Sequence, residues 1–154
     1  MFASAKLQAI ICTSKIQHAE QFYGGVLGLP LQARSQGALV YDVGGTPVRV
    51  SPVPSTRPSE HTVLGFAVPD IASVIAELRE RGVTFERFPR FSHDQSGVVC
   101  APDGSRVAWF RDPDGNLLSV VQYPEPGEAD EVGRSEIRLR TTRSTGAAIA
   151  HFAT

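Results

Sequence analysis

Three side chains in this sequence could together hold a divalent metal ion: His61, His93 and Asp94. His61 precedes an apolar, strand-like run, and on an extended strand it would share a face with Val63, about 6–7 Å away. His93 and Asp94 lie in a polar segment, residues 91–97, that could fold over the same face. No His-x-x-x-His or other fixed spacing supports such a site, and scattered histidines are more often solvated surface groups. We therefore rank a metal site at these residues below the interpretation that they are surface side chains.

The sequence contains no motif for nucleophilic or phosphate chemistry. It has no Gly-x-Ser-x-Gly elbow and no glycine-rich phosphate loop. Cys12 and Cys100 lie far apart, without the Cys-x-x-Cys spacing of a zinc or redox site. Two buried, reduced thiols in a reducing compartment are therefore expected.

Charge and hydropathy argue against several classes of partner. With 15 basic and 16 acidic residues the net charge is −1, which favours neither nucleic acid nor an anionic membrane surface. No run approaches the ~20 apolar residues that cross a bilayer, and residues 1–6 lack the apolar stretch of a signal peptide. We expect a cytoplasmic protein with no nucleic-acid or membrane partner, and 154 residues suit a single domain.

Two similar series of elements must position the candidate side chains. The first series predicts a strand at 7–13, a helix opened by a Ser14–Gln17 capping box, and strands at 29–34, 39–43 and 47–51. The second predicts a strand at 63–68, a helix capped by Asp70, and strands at 83–88, 98–101, 105–111 and 117–123. Gly45 and Gly115 stand at matching turns, so the pattern predicts two tandem βαβββ modules, the second with one strand more, at 83–88.

Proline marks the ends of the predicted modules. Residues 52–61 combine three prolines with serine and threonine, which indicates a linker between modules at 7–53 and 62–123. Residues 1–123 would then form the main domain. The remainder, 124–154, is predicted to be a C-terminal tail, a flexible or subunit-embracing extension and not a second domain.

One turn carries a family signature: residues 110–116 read Phe-Arg-Asp-Pro-Asp-Gly-Asn between two apolar runs. Asp112, Pro113 and Gly115 suit a type I turn with a bulge, which predicts a β-hairpin. The stretch resembles the end of a vicinal-oxygen-chelate domain, the superfamily of glyoxalase I, extradiol dioxygenases, fosfomycin-resistance enzymes and bleomycin-binding resistance proteins. The resemblance covers roughly residues 7–122. It implies an α+β fold in which two tandem βαβββ modules form a curved, cup-shaped mixed sheet with helices on the convex side, and it implies a homodimer.

The resemblance also implies where a metal would lie, on the concave face with ligands on the first and last strands of each module. Those positions fall on Gln8 and near Arg49 in the first module, and on Val63 and Ser119 in the second. Histidine is usual at the third position and glutamate at the fourth. Of the four, only Gln8 can coordinate a metal, and a lone amide cannot hold a divalent ion against water. We therefore expect no metal cofactor. The alternative is a divalent metal whose ligands are Gln8, His61 and His93.

Without a metal, the cup is predicted to bind a small molecule through an apolar wall that holds a few polar groups. Strand alternation directs Trp109 and Phe110 to opposite faces, so one of them should line the cup, and Phe91 would stand at its mouth. Plain core packing of these aromatic residues is an equally good interpretation. The predicted ligand-binding residues are Gln8, Ile10, Arg49, Val63, Phe91, Trp109 and Ser119.

Arg49 is the most informative of these residues. Facing inward among apolar neighbours, its guanidinium would bind a carboxylate or phosphate. The sequence leaves open that it points to solvent or pairs with Asp42.

Three functions are then possible. The first is a metal-independent protein, resembling the bleomycin-binding group, that binds a small organic molecule, and Arg49 favours an anionic or aromatic one. The second is a glyoxalase-like or dioxygenase-like metalloenzyme with displaced ligands. The third is a metal-free isomerase or lyase in which Gln8, Arg49 and Ser119 polarise a carbonyl. We rank them in that order and leave enzymatic activity open.

Overall fold

The computed structural model describes residues 1–126, so the predicted tail lies almost wholly outside the described residues. The elements in chain order are β1 (Ala9–Thr13), α1 (Ile16–Glu20) continuing into a π-helical segment (Gln21–Val26), β2 (Leu31–Ser35), β3 (Ala38–Val43), β4 (Thr46–Pro52), β5 (Leu64–Ala67), α2 (Ile71–Glu80), β6 (Val99–Cys100), β7 (Arg106–Arg111) and β8 (Leu117–Gln122). The order βαβββ occurs twice, which confirms the α+β prediction of two modules.

Each module forms its own four-stranded mixed sheet. The strand order is β1-β4-β3-β2 in the first sheet and β5-β8-β7-β6 in the second. In both sheets the first and last strands of the module pair in parallel, and the other pairs are antiparallel. The shared strand order makes equivalent positions of the two modules directly comparable.

The second helix forms as its sequence predicts. The Asp70 side chain caps it by accepting a hydrogen bond from the Ser73 amide at 3.3 Å. Ile71, Ile75 and Leu78 recur at helical spacing and are buried. In the described part of the chain, no helix has the length and apolar character needed to cross a membrane.

The capping box predicted at Ser14 is wrong. Lys15 is the N-cap residue of α1, and no side chain caps this helix. The Ser14 hydroxyl instead donates to Asp114 at 2.8 Å, across 100 positions of sequence. A tertiary carboxylate has replaced the local partner, because it accepts a charge-assisted and therefore stronger hydrogen bond.

The strand predicted at 83–88 is also wrong. Within 83–88 only Phe85 forms an isolated bridge, to Phe110. A second bridge joins His93 to Val99, and the chain from 81 to 98 is otherwise irregular. Pro89 follows directly and has no amide hydrogen to donate to a ladder. Phe88 turns to pack against Trp109 instead, with 5.5 Å between ring centroids.

A single core joins the two modules. Phe22 and Tyr23 of the first module pack with Phe110 and Leu118 of the second. The Tyr23 hydroxyl donates to Asp112 at 2.7 Å, and burial, with the charge of Asp112, raises the pKa of Tyr23 above its ordinary value.

The turn after β7 holds the modules together. Gly115 has φ of 86°, and its amide donates to the Asp112 carbonyl at 2.9 Å, as the turn prediction requires. Asp114 accepts hydrogen bonds from Thr13, Ser14 and Thr56. Burial raises the pKa of Asp114, but these hydrogen bonds outweigh it and hold the pKa below the usual value. We call Asp112, Asp114 and their partners the hairpin clasp.

Candidate functional site

Each sheet buries one face in the core and leaves the other open. In the first sheet Ile11, Val48 and Val50 point into the core. Ile10 and Arg49 face each other across β1 and β4 on the opposite side, where Ile10 is 63% exposed. The first open face is lined by Gln8, Ile10, Cys12, Arg49 and Ser51.

The second sheet has an equivalent open face. Gly65, Ser119 and Trp109 lie side by side across β5, β8 and β7, while Phe110 and Leu118 point into the core. Val63 precedes β5 and donates its amide to the Leu117 carbonyl at 2.9 Å. The second open face is lined by Val63, Gly65, Ala67, Trp109, Leu117, Ser119 and Val121. Trp109 is thus the aromatic residue on the open side, and Phe110 is the core residue.

Aromatic side chains cover part of the second open face. The Trp109 indole reaches past β8, and its Nε1 donates to the Thr62 hydroxyl at 3.2 Å. The Phe91 ring stacks on it with 5.4 Å between centroids and 8° between planes. Leu117, which lies on the same face of β8 as Ser119, is only 3% exposed. We call Phe88, Phe91, His93 and Trp109 the aromatic cover.

His93 fixes the segment that carries this cover. Its Nε2 accepts a hydrogen bond from the Phe88 amide at 2.9 Å, so the ring proton is on Nδ1, which donates to the Gly97 carbonyl at 2.8 Å. Next to it, hydrogen bonds from Ser96, and further ones from the Val98 and Ser96 amides, lower the pKa of Asp94. His93 thus stabilises the segment between Phe88 and Gly97 through its two ring nitrogens. Its position in the sequence did not indicate this role.

His61 and His93, proposed with Gln8 as an alternative set of metal ligands, are not arranged to hold a metal ion. Both ring nitrogens of His93 are engaged within their own segment. His61 is exposed, and its amide, not its ring, is hydrogen-bonded, to Ser59 at 3.0 Å. Among residues 1–126, no group of three His, Cys, Asp or Glu side chains could hold a metal ion.

The four positions implied by the resemblance do not fit a metal either. They place an amide, a guanidinium, an isopropyl group and a hydroxyl on the open faces, at Gln8, Arg49, Val63 and Ser119. A divalent metal needs several carboxylate, imidazole or thiolate ligands. Arg49 donates to the Ser35 carbonyl at 3.3 Å and forms no ion pair with any described carboxylate, Asp42 included.

Ser119 and Gly65 form a notch in the second open face that alternation alone did not reveal. Ser119 is only 8% exposed, yet its hydroxyl makes no hydrogen bond with any residue in 1–126. A Cβ placed on Gly65 would lie 3.0 Å from the Ser119 Oγ. The pairing of β5 with β8 brings these two residues together, and a single sequence does not specify that register.

A cavity of about 250 Å³ lies on the core side of the second sheet, between the π-helical segment and α2. Arg81 stands at its edge and donates to the Val26 carbonyl at 2.8 Å and to Glu77. Apart from Arg81 and Glu77, the cavity is lined by apolar side chains: Val26, Leu27, Leu29, Phe66, Val68, Val74, Leu78, Phe110 and Val120. The cavity offers no polar group that is free of a protein partner, which distinguishes it from the notch.

Known proteins share this fold. Residues 6–120 match the model of the Glyoxalase/Bleomycin resistance protein/Dioxygenase superfamily. The chain is similar to a lactoylglutathione lyase from Agrobacterium tumefaciens, with 20% identity, 77% and 93% of the two chains covered and a TM-score of 0.59. It is also similar to a glyoxalase/bleomycin resistance protein/dioxygenase from Alicyclobacillus acidocaldarius, with 20% identity, 77% and 90% covered and a TM-score of 0.57.

A glyoxalase/dioxygenase from Nostoc punctiforme gives 16% identity, 80% and 94% coverage and a TM-score of 0.59. Comparison with curated protein sequences gives no match. Structural likeness at this identity establishes the fold alone, whereas the family model spans most of the chain. The chain therefore belongs to the glyoxalase/bleomycin resistance protein/dioxygenase superfamily.

Proposed function

We propose that this protein binds a small organic molecule against its open sheet faces without a bound metal ion. The observation that carries the proposal is the chemistry of the four positions where the superfamily places metal ligands. Arg49 and Ser119 lie in the strands, Gln8 and Val63 are exposed just before β1 and β5, and together the four offer one weak ligand and one repelling cation. Such surroundings suit hydrogen bonding and apolar contact with an organic ligand.

Arg49 favours a ligand with an anionic group. Arg49 is paired with Ile10 in the register of β1 and β4, its guanidinium reaches the Ser35 carbonyl of β2, and no described carboxylate neutralises it. A planar, permanently charged fork of this kind binds carboxylate or phosphate in two-point fashion. The hydrogen bond to the Ser35 carbonyl holds the side chain across the face, which lowers the entropy lost on binding.

A second copy of the chain would complete the cup. Within one chain the modules pack through their core sides. The first open face stays exposed, with Ile10 at 63%, and the second stays exposed at Val63, at 47%, outside the aromatic cover. A small-molecule site needs walls on more than one side. We therefore propose a homodimer in which the first open face of one copy lies opposite the second open face of the other. The thiols of Cys12 and Cys100 are exposed, so the prediction that they are buried is wrong. Free, exposed thiols suit a reducing compartment, and we place the protein in the cytoplasm.

A thermal-shift screen with small aromatic and aliphatic acids, run with and without EDTA, tests the proposal. A ligand that binds the folded state raises the melting temperature. We expect at least one acid to do so equally in both conditions, and Arg49→Ala to abolish the shift. Arg57→Ala, an exposed arginine of the linker, is the matched control and should behave as wild type. Shifts that appear only with added metal ions would overturn the proposal.

A further inference from the structure

The Ser119 hydroxyl lacks a hydrogen-bond partner in the described chain, and its oxygen, unlike that of Tyr41, is not fully removed from solvent. Ser119 is 8% exposed and sits in β8 between the glycine of one neighbouring strand and the indole of the other. Hydroxyl groups removed from water normally find a hydrogen-bond partner, because an unsatisfied one costs free energy. A polar group that has no partner but remains reachable is an anchor for a ligand.

Gly65 is what keeps this hydroxyl reachable. Its φ is not positive, so no turn or left-handed conformation explains a glycine in the middle of β5. Glycine weakens a strand and often marks a place where another group approaches the backbone closely. Here any side chain would begin 3.0 Å from the Ser119 Oγ and fill the space above it.

The surroundings of the notch restrict what can enter it. Trp109 provides a flat apolar wall, and its only donor is already used by Thr62. The nearest cation on β7, Arg111, is engaged by Glu86 at 3.0 Å and by the Gly115 carbonyl at 2.8 Å. Arg90 forms no ion pair with a described carboxylate, but its guanidinium is stacked on the aromatic cover, 4.9 Å from the centroid of the Phe91 ring. The notch therefore presents one free hydrogen-bonding group and an aromatic wall.

We propose that the Gly65–Ser119 notch binds one uncharged hydrogen-bonding group, a hydroxyl or carbonyl, of a flat aromatic ligand whose ring lies beside Trp109. This inference rests on the proposed function. It adds the chemical class of the ligand and a limit on the size of the group that can enter beside Gly65. Ser119 supplies the hydrogen bond and Gly65 supplies the room. Neither role requires a metal, and Arg49 on the other open face remains available for a separate anionic group.

Binding of three probes of similar size, followed by fluorine NMR, tests the proposal. The probes are 4-fluorophenol, fluorobenzene and 4-fluorobenzoate, titrated into the full chain in the presence of EDTA. We expect 4-fluorophenol to bind about tenfold more tightly than fluorobenzene, the effect of one hydrogen bond. Ser119→Ala should remove this difference, and Gly65→Ala should weaken 4-fluorophenol binding about tenfold.

Gly25→Ala is the matched control for the glycine substitution. Gly25 also lacks a positive φ, and a Cβ there would meet nothing within 4 Å, so binding should not change. In a Ser119→Ala background, Gly65→Ala should weaken 4-fluorophenol binding by a smaller factor than in wild type. The Oγ that the new Cβ would meet is then absent. Melting temperatures of all variants separate a lost site from a lost fold.

Several results would overturn the proposal that the notch binds a ligand. Equal binding of 4-fluorophenol and fluorobenzene, no binding of either, or an unchanged affinity in Gly65→Ala would each do so. If 4-fluorobenzoate alone binds, and does so through Arg49, the notch is wrong while the proposed function stands. If binding appears only when EDTA is replaced by a divalent metal, the proposed function itself fails.

Discussion

The two open faces differ although the two modules share one strand order. On the first face Ile10 is 63% exposed, whereas on the second, which carries the aromatic cover, Leu117 is 3% exposed. The difference arises in one connection. Residues 27–30 link the π-helical segment to β2, but residues 81–98 link α2 to β6 and carry Phe88, Phe91 and His93 over the sheet. The same fold thus provides one bare wall with a free cation and one wall already shaped by side chains.

Removing Trp109 tests this contrast most severely. Trp109→Ala should lower the free energy of unfolding by about 2–3 kcal/mol, less than for a fully buried tryptophan because the ring is half-buried. Ile10→Ala, on the bare face, should cost no more than about 0.5 kcal/mol. Urea denaturation followed by circular dichroism measures both. Equal losses would mean that the two faces do not differ as described.

Because of the hairpin clasp, the free energy of unfolding should fall as the pH is lowered into the acid range. Asp114→Ala removes the acceptor for Thr13, Ser14 and Thr56 and should cost about 1–2 kcal/mol at pH 7. Because its pKa is lowered in the folded state, Asp114 stabilises the protein above the unfolded-state pKa of about 3.9, and this is lost as pH falls through the folded-state pKa.

The melting temperatures of wild type and Asp114→Ala should therefore converge between about pH 5 and pH 2. A difference that stays constant over this range would contradict the assignment of the clasp to the ionised carboxylate.

The smallest expected difference is between two tyrosine hydroxyls, one hydrogen-bonded to the other module and one without a partner in the described chain. Tyr23→Phe removes the hydroxyl that donates to Asp112 and should cost about 1 kcal/mol. Tyr41→Phe should cost nothing or slightly stabilise the protein, since the Tyr41 hydroxyl is buried without a hydrogen-bond partner in the described chain. Chemical denaturation resolves the pair, and a larger loss for Tyr41→Phe would show that its hydroxyl has a partner.

The fold was readable from sequence where the signals are local. The helix at Asp70 and the turn at Gly115 formed as predicted, because capping and turn chemistry depend on residues a few positions apart. Ser14 failed as a cap because its partner is Asp114, 100 positions away. Residues 83–88 have strand composition, but distant contacts with Trp109 decided their path.

The candidate site was predictable only in part, for the same reason. Alternation correctly grouped residues within a strand, as for Ile10 on β1. It could not place Gly65 beside Ser119 or decide between Trp109 and Phe110, since these depend on strand register and on which face the core occupies. The pairing of His93 with Phe88 and Gly97 likewise depends on how an irregular segment closes on itself.

Metal content tests the central proposal most directly. The purified protein would be incubated in turn with Zn, Ni, Co, Mn and Fe, desalted, and measured by elemental analysis. We expect almost no metal to remain, because Gln8, Arg49, Val63 and Ser119 do not form a ligand set. Retention of about one ion per chain would contradict the proposal and show that ligands outside these positions restore a metal site.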